Sequence, residues 1–167
     1  MASLESADVF SFTPGPETHA DATSAAGASP AAVLDVDREA RAIHGAGLVS
    51  YHWDIATDVL TWSSNAASVL GCDGAQMATG RTFAAFLDNE NITSRYETVV
   101  RSSQRDLGQG IAYEIEYMFR PEGRRSGNAI WVEDFGRWHG DDSGTPREAV
   151  GVMRLANARH ARDQQMN

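Results

Sequence analysis

Residues 111–119 carry the most constraining pattern in the chain, a strict alternation of side-chain type. Bulky apolar residues occupy every second position: Ile111, Tyr113, Ile115, Tyr117 and Phe119. The positions between them are small, acidic or less bulky. A period of two over nine residues predicts an antiparallel strand with one buried face and one wetter face.

An earlier stretch, residues 48–62, predicts a β-hairpin. Two runs rich in aromatic and apolar residues, 48–55 and 59–62, flank Ala56-Thr57-Asp58, a polar break that includes a turn-favouring aspartate. Ser63 then opens a short helix over 64–70, and Gly71 stops it.

The remaining segments predict helices in the middle of the chain and strands towards its end. Residues 71–80 predict a loop with at most one helical turn, and 83–87 a short helix. Residues 90–105 predict a longer helix, with Ile92, Tyr96, Val99 and Val100 on its buried side and Arg95 outside. Strands are expected at 129–138 and 148–155. Two strands, a helical middle and three strands indicate an α+β fold with one antiparallel sheet.

Several short motifs, in order, resemble a PAS domain. They are Trp53-Asp54, Trp62-Ser63, Leu70-Gly71, Glu116-Tyr117, Arg120-Pro121-Glu122-Gly123, Trp131-Val132-Glu133 and Gly151-Val152. The resemblance covers residues 47–155 and is closest to PAS domains of bacterial sensor kinases and GGDEF/EAL cyclic-di-GMP proteins. It implies a five-stranded antiparallel sheet with helices on one face and an N-terminal flanking helix. Many PAS domains end in Asp-Ile-Thr, where this chain has Leu155-Ala156-Asn157; this departure puts the usual coupling to an output helix in doubt.

The flanking segments have different compositions. Residues 1–29 predict a disordered acidic tail, in which Val9-Phe10-Ser11-Phe12 could alternatively dock as a strand on a neighbour. Residues 30–46 predict a helix that starts at Pro30, and 156–167 predict the start of a connector helix capped by Asn157. The helix at 30–46 either covers its own sheet or forms a homodimer. Its candidate interface residues are Val33, Leu34, Val36, Ala40 and Ile43.

Charge and cysteine content narrow the possible partners and the compartment. The net charge of −9 argues against nucleic acid and anionic membranes as partners. Cys72 is the only cysteine, so no intramolecular disulfide can form and a reducing compartment is expected. No spanning segment or signal peptide is recognised, which predicts a cytoplasmic protein.

No catalytic motif is evident, so we expect a non-enzymatic domain. Glu133 and Asp134 are adjacent in a strand and should point to opposite faces, so they cannot act as an acid pair. Nucleophile-elbow, phosphate-loop and zinc spacings are missing from the sequence. The most direct hypothesis is a regulatory module that dimerises and controls a downstream output domain, with a GGDEF/EAL enzyme favoured over a histidine kinase.

The PAS resemblance raises the question of a bound cofactor. Haem-binding relatives usually use a histidine of the long helix, and 90–105 has none; His52 could face inward, but a satisfied or exposed histidine is favoured. Cys72 lies outside the Asn-Cys-Arg motif of blue-light flavin relatives. We expect no haem and a colourless protein, with non-covalent flavin or a small metabolite left open. The candidate pocket lining is Phe83, Phe86, Tyr96, Tyr113, Ile115 and Trp131. Two alternatives to the regulatory module are a ligand or cofactor sensor and a docking module for a regulatory protein.

Overall fold

A computed structural model describes residues 30–166. The acidic tail predicted for 1–29, with its Val9–Phe12 cluster, lies outside the described residues. The helices are α1 (Pro30–Gly45), α2 (Ala66–Leu70), α3 (Gly80–Ala84), α4 (Arg95–Val99) and α5 (Asn157–Met166), with a 3-10 helix at Gly74–Met77. The strands are β1 (Val49–Asp54), β2 (Val59–Trp62), β3 (Ile111–Phe119), β4 (Ile130–Gly140) and β5 (Pro146–Leu155).

The strands within residues 30–166 form one antiparallel sheet in the order β2-β1-β5-β4-β3. This confirms the α+β fold class and the predicted β1–β2 hairpin. The sequence also predicts β3 with its bounds correct, because an alternating strand with one buried face leaves little freedom of register. Strand β1 is interior, but β5 occupies the centre of the sheet.

The hydrophobic core lies on one face of the sheet, which α2, α3 and α4 cover. Its largest fully buried side chains include Trp138, Tyr117, Phe119, Leu70 and Met77. Phe83 of α3 packs against Phe119 of β3, with ring centroids 6.0 Å apart. Burial of each large apolar side chain contributes about 1.5–3 kcal/mol to folding, so this face holds the sheet and the helices together.

The long helix predicted for 90–105 is wrong: α4 spans only Arg95–Val99. Ser94 caps it at the start, since its Oγ accepts a hydrogen bond from Glu97 N at 3.3 Å. The buried residues of α4 are Arg95 and Val99, whereas Tyr96 is exposed. Spacing of apolar residues misled the prediction because the position that enters the core carries an arginine.

The prediction that Trp131 lines a pocket on the core face is also wrong. Tyr117 pairs with Val132, and Trp131 pairs with Met118 on the outer face of the sheet. Trp138, seven residues later, is the fully buried tryptophan of β4. A one-residue difference in register moves a side chain to the opposite face, so an aromatic residue at either position fitted the sequence pattern equally well.

Helix α1 is present where the sequence predicts a helix, and its C-terminal end leads directly into β1. Ala40 is exposed and Ile43 is half-buried. The other candidate interface residues, Val33, Leu34 and Val36, lie in a part of α1 whose side chains are outside the description. Among residues 30–166, no helix is both long and apolar enough to cross a bilayer.

Candidate functional site: a cavity beside a buried arginine–aspartate pair

Asp134 of β4 is completely buried and organises a polar network inside the core. Its Oδ2 accepts hydrogen bonds from Arg95 Nε at 2.8 Å and Tyr117 Oη at 2.7 Å, and its Oδ1 accepts one from Tyr51 Oη at 2.6 Å. Glu133 faces the other side of the sheet, which confirms that these neighbouring acids do not form a pair. The alternation of β4 therefore delivers a carboxylate to the core face.

Arg95 reaches Asp134 from the first residue of α4. Its Nη2 lies 2.7 Å from Asp134 Oδ2, and its guanidinium carbon lies 3.6 Å from the centre of the Tyr51 ring. The ring of Phe83 is also within 4.5 Å of that carbon. Burial disfavours the charged guanidinium, but Asp134 and the nearby tyrosines together raise the pKa of Arg95 well above its ordinary value. Arg95 is therefore a permanent buried cation.

The tyrosines around Asp134 act as hydrogen-bond donors. Burial, followed by the charge of Asp134, raises the pKa of Tyr117 well above its ordinary value, and burial likewise raises that of Tyr51. Burial and the Asp134 charge raise the pKa of Tyr113 to about 12, and its hydroxyl contacts that of Tyr51. These phenols remain protonated at neutral pH. Arg95, Asp134, Tyr51, Tyr113 and Tyr117 are called the buried polar network below.

A cavity of about 480 Å³ lies beside this network, between the β1–β2 hairpin and helices α3 and α4. Its apolar wall is formed by Trp53, Ile55, Phe83, Leu87 and Val100. Its polar lining includes Arg95, Arg81, Asp58, Ser94 and Tyr96. A volume of this size lies within the range of pockets that hold small molecules, roughly 300–1,000 Å³.

Asp58 in the hairpin turn fixes one wall of the cavity. It has a positive φ of 59°, a conformation that aspartate tolerates better than most residues. Its Oδ1 accepts hydrogen bonds from Trp53 Nε1 and Gly80 N, both at 3.0 Å, and its Oδ2 accepts one from Arg81 N at 3.2 Å. This carboxylate ties the hairpin to the start of α3, and both of its oxygens are engaged by groups of the protein.

The structure brings only some of the predicted pocket residues to the cavity. Phe83 and Tyr96 line it, although Tyr96 is half-exposed. Tyr113 and Ile115 are buried in the sheet, and Phe86 stacks on Phe119 outside the cavity lining. Trp131 lies on the other face of the sheet.

Sequence reasoning missed the charged residues of the site. Arg95 and Asp134 could have been noticed as charges at core positions. Asp134 is an even number of residues from Val132 and Trp138 and so shares their face of the strand, and Arg95 precedes Val99 by one helical turn and so shares its face of the helix. Their pairing could not be read from the sequence, because they are far apart along it.

Other residues considered for cofactors are placed away from the cavity. His52 is exposed on the outer face, where its Nε2 lies 3.1 Å from Glu148 Oε2, which confirms the favoured interpretation of an exposed, satisfied histidine. Cys72 is buried after α2, where burial raises the pKa of its thiol. In the described part of the chain, no cluster of three or more histidine, cysteine or acidic side chains could hold a metal ion.

The outer face of the sheet carries a second charged cluster, which holds helix α5. The ring of His160 stacks on Trp131 at 4.1 Å, and His160 Nε2 lies 2.6 Å from Glu116 Oε1. Arg159 contacts the carboxylates of both Glu116 and Glu133. These contacts of Arg159 and His160 with Glu116, Glu133 and Trp131 are called the α5 clasp below.

Among residues 30–166, a sheet of strand order β2-β1-β5-β4-β3 with short helices over a cavity on one face defines a PAS-like α+β domain. The sheet and its covering helices match solved structures of PAS type, and the match extends over nearly the whole length of each solved structure. One is the N-terminal domain of a diguanylate cyclase with a PAS/PAC sensor from Marinobacter aquaeolei (TM-score 0.54, 17% identity, covering 68% of this chain and 98% of that one). A sensory box histidine kinase/response regulator from Burkholderia thailandensis E264 gives a TM-score of 0.53 and 21% identity, covering 77% of this chain and 92% of that one. The PAS domain of a Colwellia psychrerythraea protein gives a TM-score of 0.51 and 15% identity, covering 75% of this chain and 99% of that one.

The chain therefore has the PAS fold, as the motifs of the sequence predict. No protein-family model matches the chain, and no curated protein matches it.

Proposed function

We propose that this chain is a non-catalytic sensory PAS domain that regulates an output through helix α5. The observation that carries the proposal is the α5 clasp. It fastens the segment that leaves the sheet to the two strands next to the buried polar network. A change in the core that shifts β4 would thereby alter the position of α5.

The junction between β5 and α5 is closely bonded to β4. Ala156 is buried, and its N–H donates a hydrogen bond to Trp131 O at 2.8 Å. Trp131 N in turn donates to Asn157 Oδ1 at 2.7 Å. Asn157 therefore anchors the start of α5 to the sheet at the point where many PAS domains have a different motif. These bonds support coupling despite the departure from the usual sequence.

Glu133 stabilises the docked position of α5 more than an exposed carboxylate would, because it is buried. Its side chain is 4% exposed on the outer face, and it contacts Arg154 of β5 and Arg159 of α5. A buried carboxylate that loses a partner is destabilised by several kcal/mol, far more than an exposed one. Undocking α5 would remove Arg159 from Glu133, so the docked and undocked positions differ substantially in free energy.

We propose a cytoplasmic cyclic-di-GMP enzyme of the GGDEF or EAL type as the output, and a histidine kinase as the second candidate. The resemblance of the sequence supports this order, and two proteins of similar fold, one named as a diguanylate cyclase and one as a histidine kinase, support the two candidates. A docking module for a regulatory protein remains the alternative in which α5 or the outer face binds a partner directly.

The coupling can be tested by fusing the whole chain, through α5, to a diguanylate cyclase domain and measuring cyclic-di-GMP synthesis. Trp131→Ala and Arg159→Ala remove contacts of the clasp, and each should change the rate several-fold. His52→Ala is the matched control, because it removes an exposed contact with Glu148 on the same face of the sheet, away from α5. Unchanged synthesis in both clasp variants, with normal circular dichroism, would contradict the proposal.

We further propose that α1 forms the homodimer interface. Ala40 is exposed and Ile43 is only half-buried, which supports an apolar seam that another chain could cover. Deleting residues 1–46 should convert a dimer into a monomer, whereas deleting 1–28 should leave the dimer intact. Size-exclusion chromatography with light scattering distinguishes these results. A full-length chain that is already monomeric at high micromolar concentration would refute the interface.

A further inference from the structure

We propose that residues 112–116 of β3 bind an extended, basic segment of a partner protein as an additional strand of the sheet. Residues 112–116 are called the open edge below. Strand β3 is the last in the order β2-β1-β5-β4-β3, so among the described strands it pairs only with β4. One row of its backbone N–H and C=O groups therefore points away from the sheet. The open edge is separate from α1 and from the cavity, so its partner is additional to the proposed function.

The hydrogen bonds of Met118 show which backbone groups of β3 point outwards. Met118 N donates to Asn91 Oδ1 at 2.7 Å, and Met118 O accepts from Asn91 Nδ2 at 2.9 Å. Asn91 lies outside the sheet, and outward groups recur at every second residue of an antiparallel strand. The N–H and C=O groups of Ala112, Glu114 and Glu116 therefore also point outwards. In the described part of the chain, none of these groups has a hydrogen-bond partner.

The C-terminal end of β3 is already covered by the chain itself in a strand-like manner. Leu87 and Phe119 form an isolated antiparallel bridge, and Asp88 N donates to Met118 O at 3.0 Å. This cover ends at Asn91, and the open edge continues from the point where it stops. An added strand would therefore extend a line of pairing that the fold already uses.

The open edge lacks several devices that usually prevent an exposed strand from pairing. It contains no proline, and the register of β3 with β4 is continuous from Ile111 to Phe119. The side chains of Ala112 and Glu114 are exposed. A regular edge with unpaired backbone groups is a template for strand addition.

A large, exposed apolar side chain lies near each end of the open edge. Ile92 directly follows Asn91, where the cover of β3 ends, and its relative exposure is 103%. Leu107 lies in the loop that leads into β3 and is 94% exposed. Each would gain free energy by contact with apolar side chains of a partner. Together with the unpaired backbone groups between them, they indicate an interaction surface.

The charge of the open edge indicates a basic partner segment. The Glu114 carboxylate is exposed and makes no hydrogen bond or ion pair within residues 30–166. Its cross-strand neighbour in β4 is Phe135, so β4 supplies no cation opposite it. An arginine or lysine of an added strand would face Glu114 from the other side, and such opposite charges stabilise a sheet. The net charge of −9 would also attract a basic segment.

A second copy of this chain and the chain's own N-terminal segment fit the open edge less well. Two β3 strands paired about Glu114 would place that glutamate opposite itself, and like charges in this arrangement are destabilising. Residues 1–29 carry acidic residues but no arginine or lysine, so they would add negative charge at the same position. The observations therefore favour a basic segment of a different protein.

Fluorescence anisotropy of a labelled peptide, titrated with the full chain, tests the proposal. The probe alternates valine and arginine over about seven residues, enough to span the open edge, and is blocked at both ends. One control peptide has glutamate in place of arginine. The other carries a methyl group on every backbone nitrogen, which keeps the charge but removes the backbone donors. We expect both controls to bind at least about tenfold more weakly than the probe.

Amide hydrogen exchange locates the bound peptide on the sheet. The N–H groups of Ala112, Glu114 and Glu116 should exchange at least about tenfold more slowly when the arginine peptide is present. The N–H groups of Tyr113 and Ile115 are the internal reference, because they point towards β4 and should change much less. Binding through charge alone would not produce this alternation.

Two variants of Glu114 separate the backbone contribution from the charge. Glu114→Pro removes an outward N–H that no bond to β4 uses, so it should leave the sheet folded and abolish peptide binding. Glu114→Arg should weaken the arginine peptide about tenfold and strengthen the glutamate peptide. Glu148→Arg is the matched control, because it makes the same charge change on β5, with β4 between it and the open edge. Circular dichroism checks that each variant is folded.

The proposal is overturned if the methylated peptide binds as tightly as the probe, or if exchange at the open edge is unchanged. A gain in peptide affinity of more than about tenfold on deletion of residues 1–28 would assign the edge to the N-terminal segment instead. A lower molecular mass of Glu114→Pro in light scattering would assign it to a second copy. Either result overturns the assignment to a partner protein.

Discussion

Replacing Asp134 by asparagine should destabilise the domain more than any other conservative change of a polar side chain in the core. The variant keeps the size of the side chain but removes the charge that balances Arg95. Arg95 is 3% exposed in its side chain and its pKa is raised well above the ordinary value, so it cannot escape by losing its proton. The charge of Arg95 is then buried without a counterion.

The expected loss can be worked from the contacts. Asp134 accepts hydrogen bonds from Arg95, Tyr51 and Tyr117, and hydrogen bonds to a charged group contribute about 1.5–3 kcal/mol each. These contributions are not additive, and removing one partner of a buried ion pair typically costs about 3–5 kcal/mol. We expect Asp134→Asn to lower the free energy of unfolding by about 3–5 kcal/mol, a large part of the about 5–15 kcal/mol usual for a domain.

The assay is urea unfolding followed by tryptophan fluorescence and far-ultraviolet circular dichroism, with linear extrapolation to water. Glu148→Gln is the control, since its contact with His52 is half-exposed and should contribute no more than about 1 kcal/mol. The double variant Arg95→Met/Asp134→Leu should be less destabilised than the sum of the two single changes by at least about 2 kcal/mol. A loss below about 1 kcal/mol in Asp134→Asn, or strict additivity, would refute the reasoning.

Three further predictions concern the loops and the sheet. Asp106 accepts hydrogen bonds from the backbone at three glycines, chiefly Gly140, which lowers its pKa below the ordinary value. Its stabilising effect is present above pH about 4 and is lost as the pH falls through the lowered pKa, so Asp106→Asn should flatten the decline of melting temperature below pH 4. Trp138→Ala should lower the free energy of unfolding by about 3–5 kcal/mol and Trp131→Ala by much less, because only Trp138 is fully buried; equal losses would contradict this placement. Gly136→Ala should cost about 1–3 kcal/mol, since its Cβ would lie 2.3 Å from the Tyr113 ring, whereas Gly127→Ala, with no atom within 4 Å, should be nearly neutral in the same unfolding assay.

The sequence by itself determined the order of strands and helices and the fold class. Strand β3 could be predicted because its alternation extends over nine residues, and such a pattern is compatible with only one register on a covered face. The hairpin and the short helix before Gly71 followed from local turn and cap signals, which act over a few residues. The PAS fold followed from the combination of these local signals with short motifs in a particular order.

Only the tertiary structure decided which charged residues enter the core. The apolar spacing predicts Arg95 on the outside of a long helix, because a charged side chain on a helix is normally solvated. It is buried because β4 brings Asp134, 39 residues away, to the opposite side of the same core. The sequence predicts the wrong face for Trp131 for a related reason: the pattern of β4 does not distinguish Trp131 from Trp138 until the pairing with β3 sets the register. Local patterns specify elements, whereas the burial of a charge depends on a partner that only the folded chain supplies.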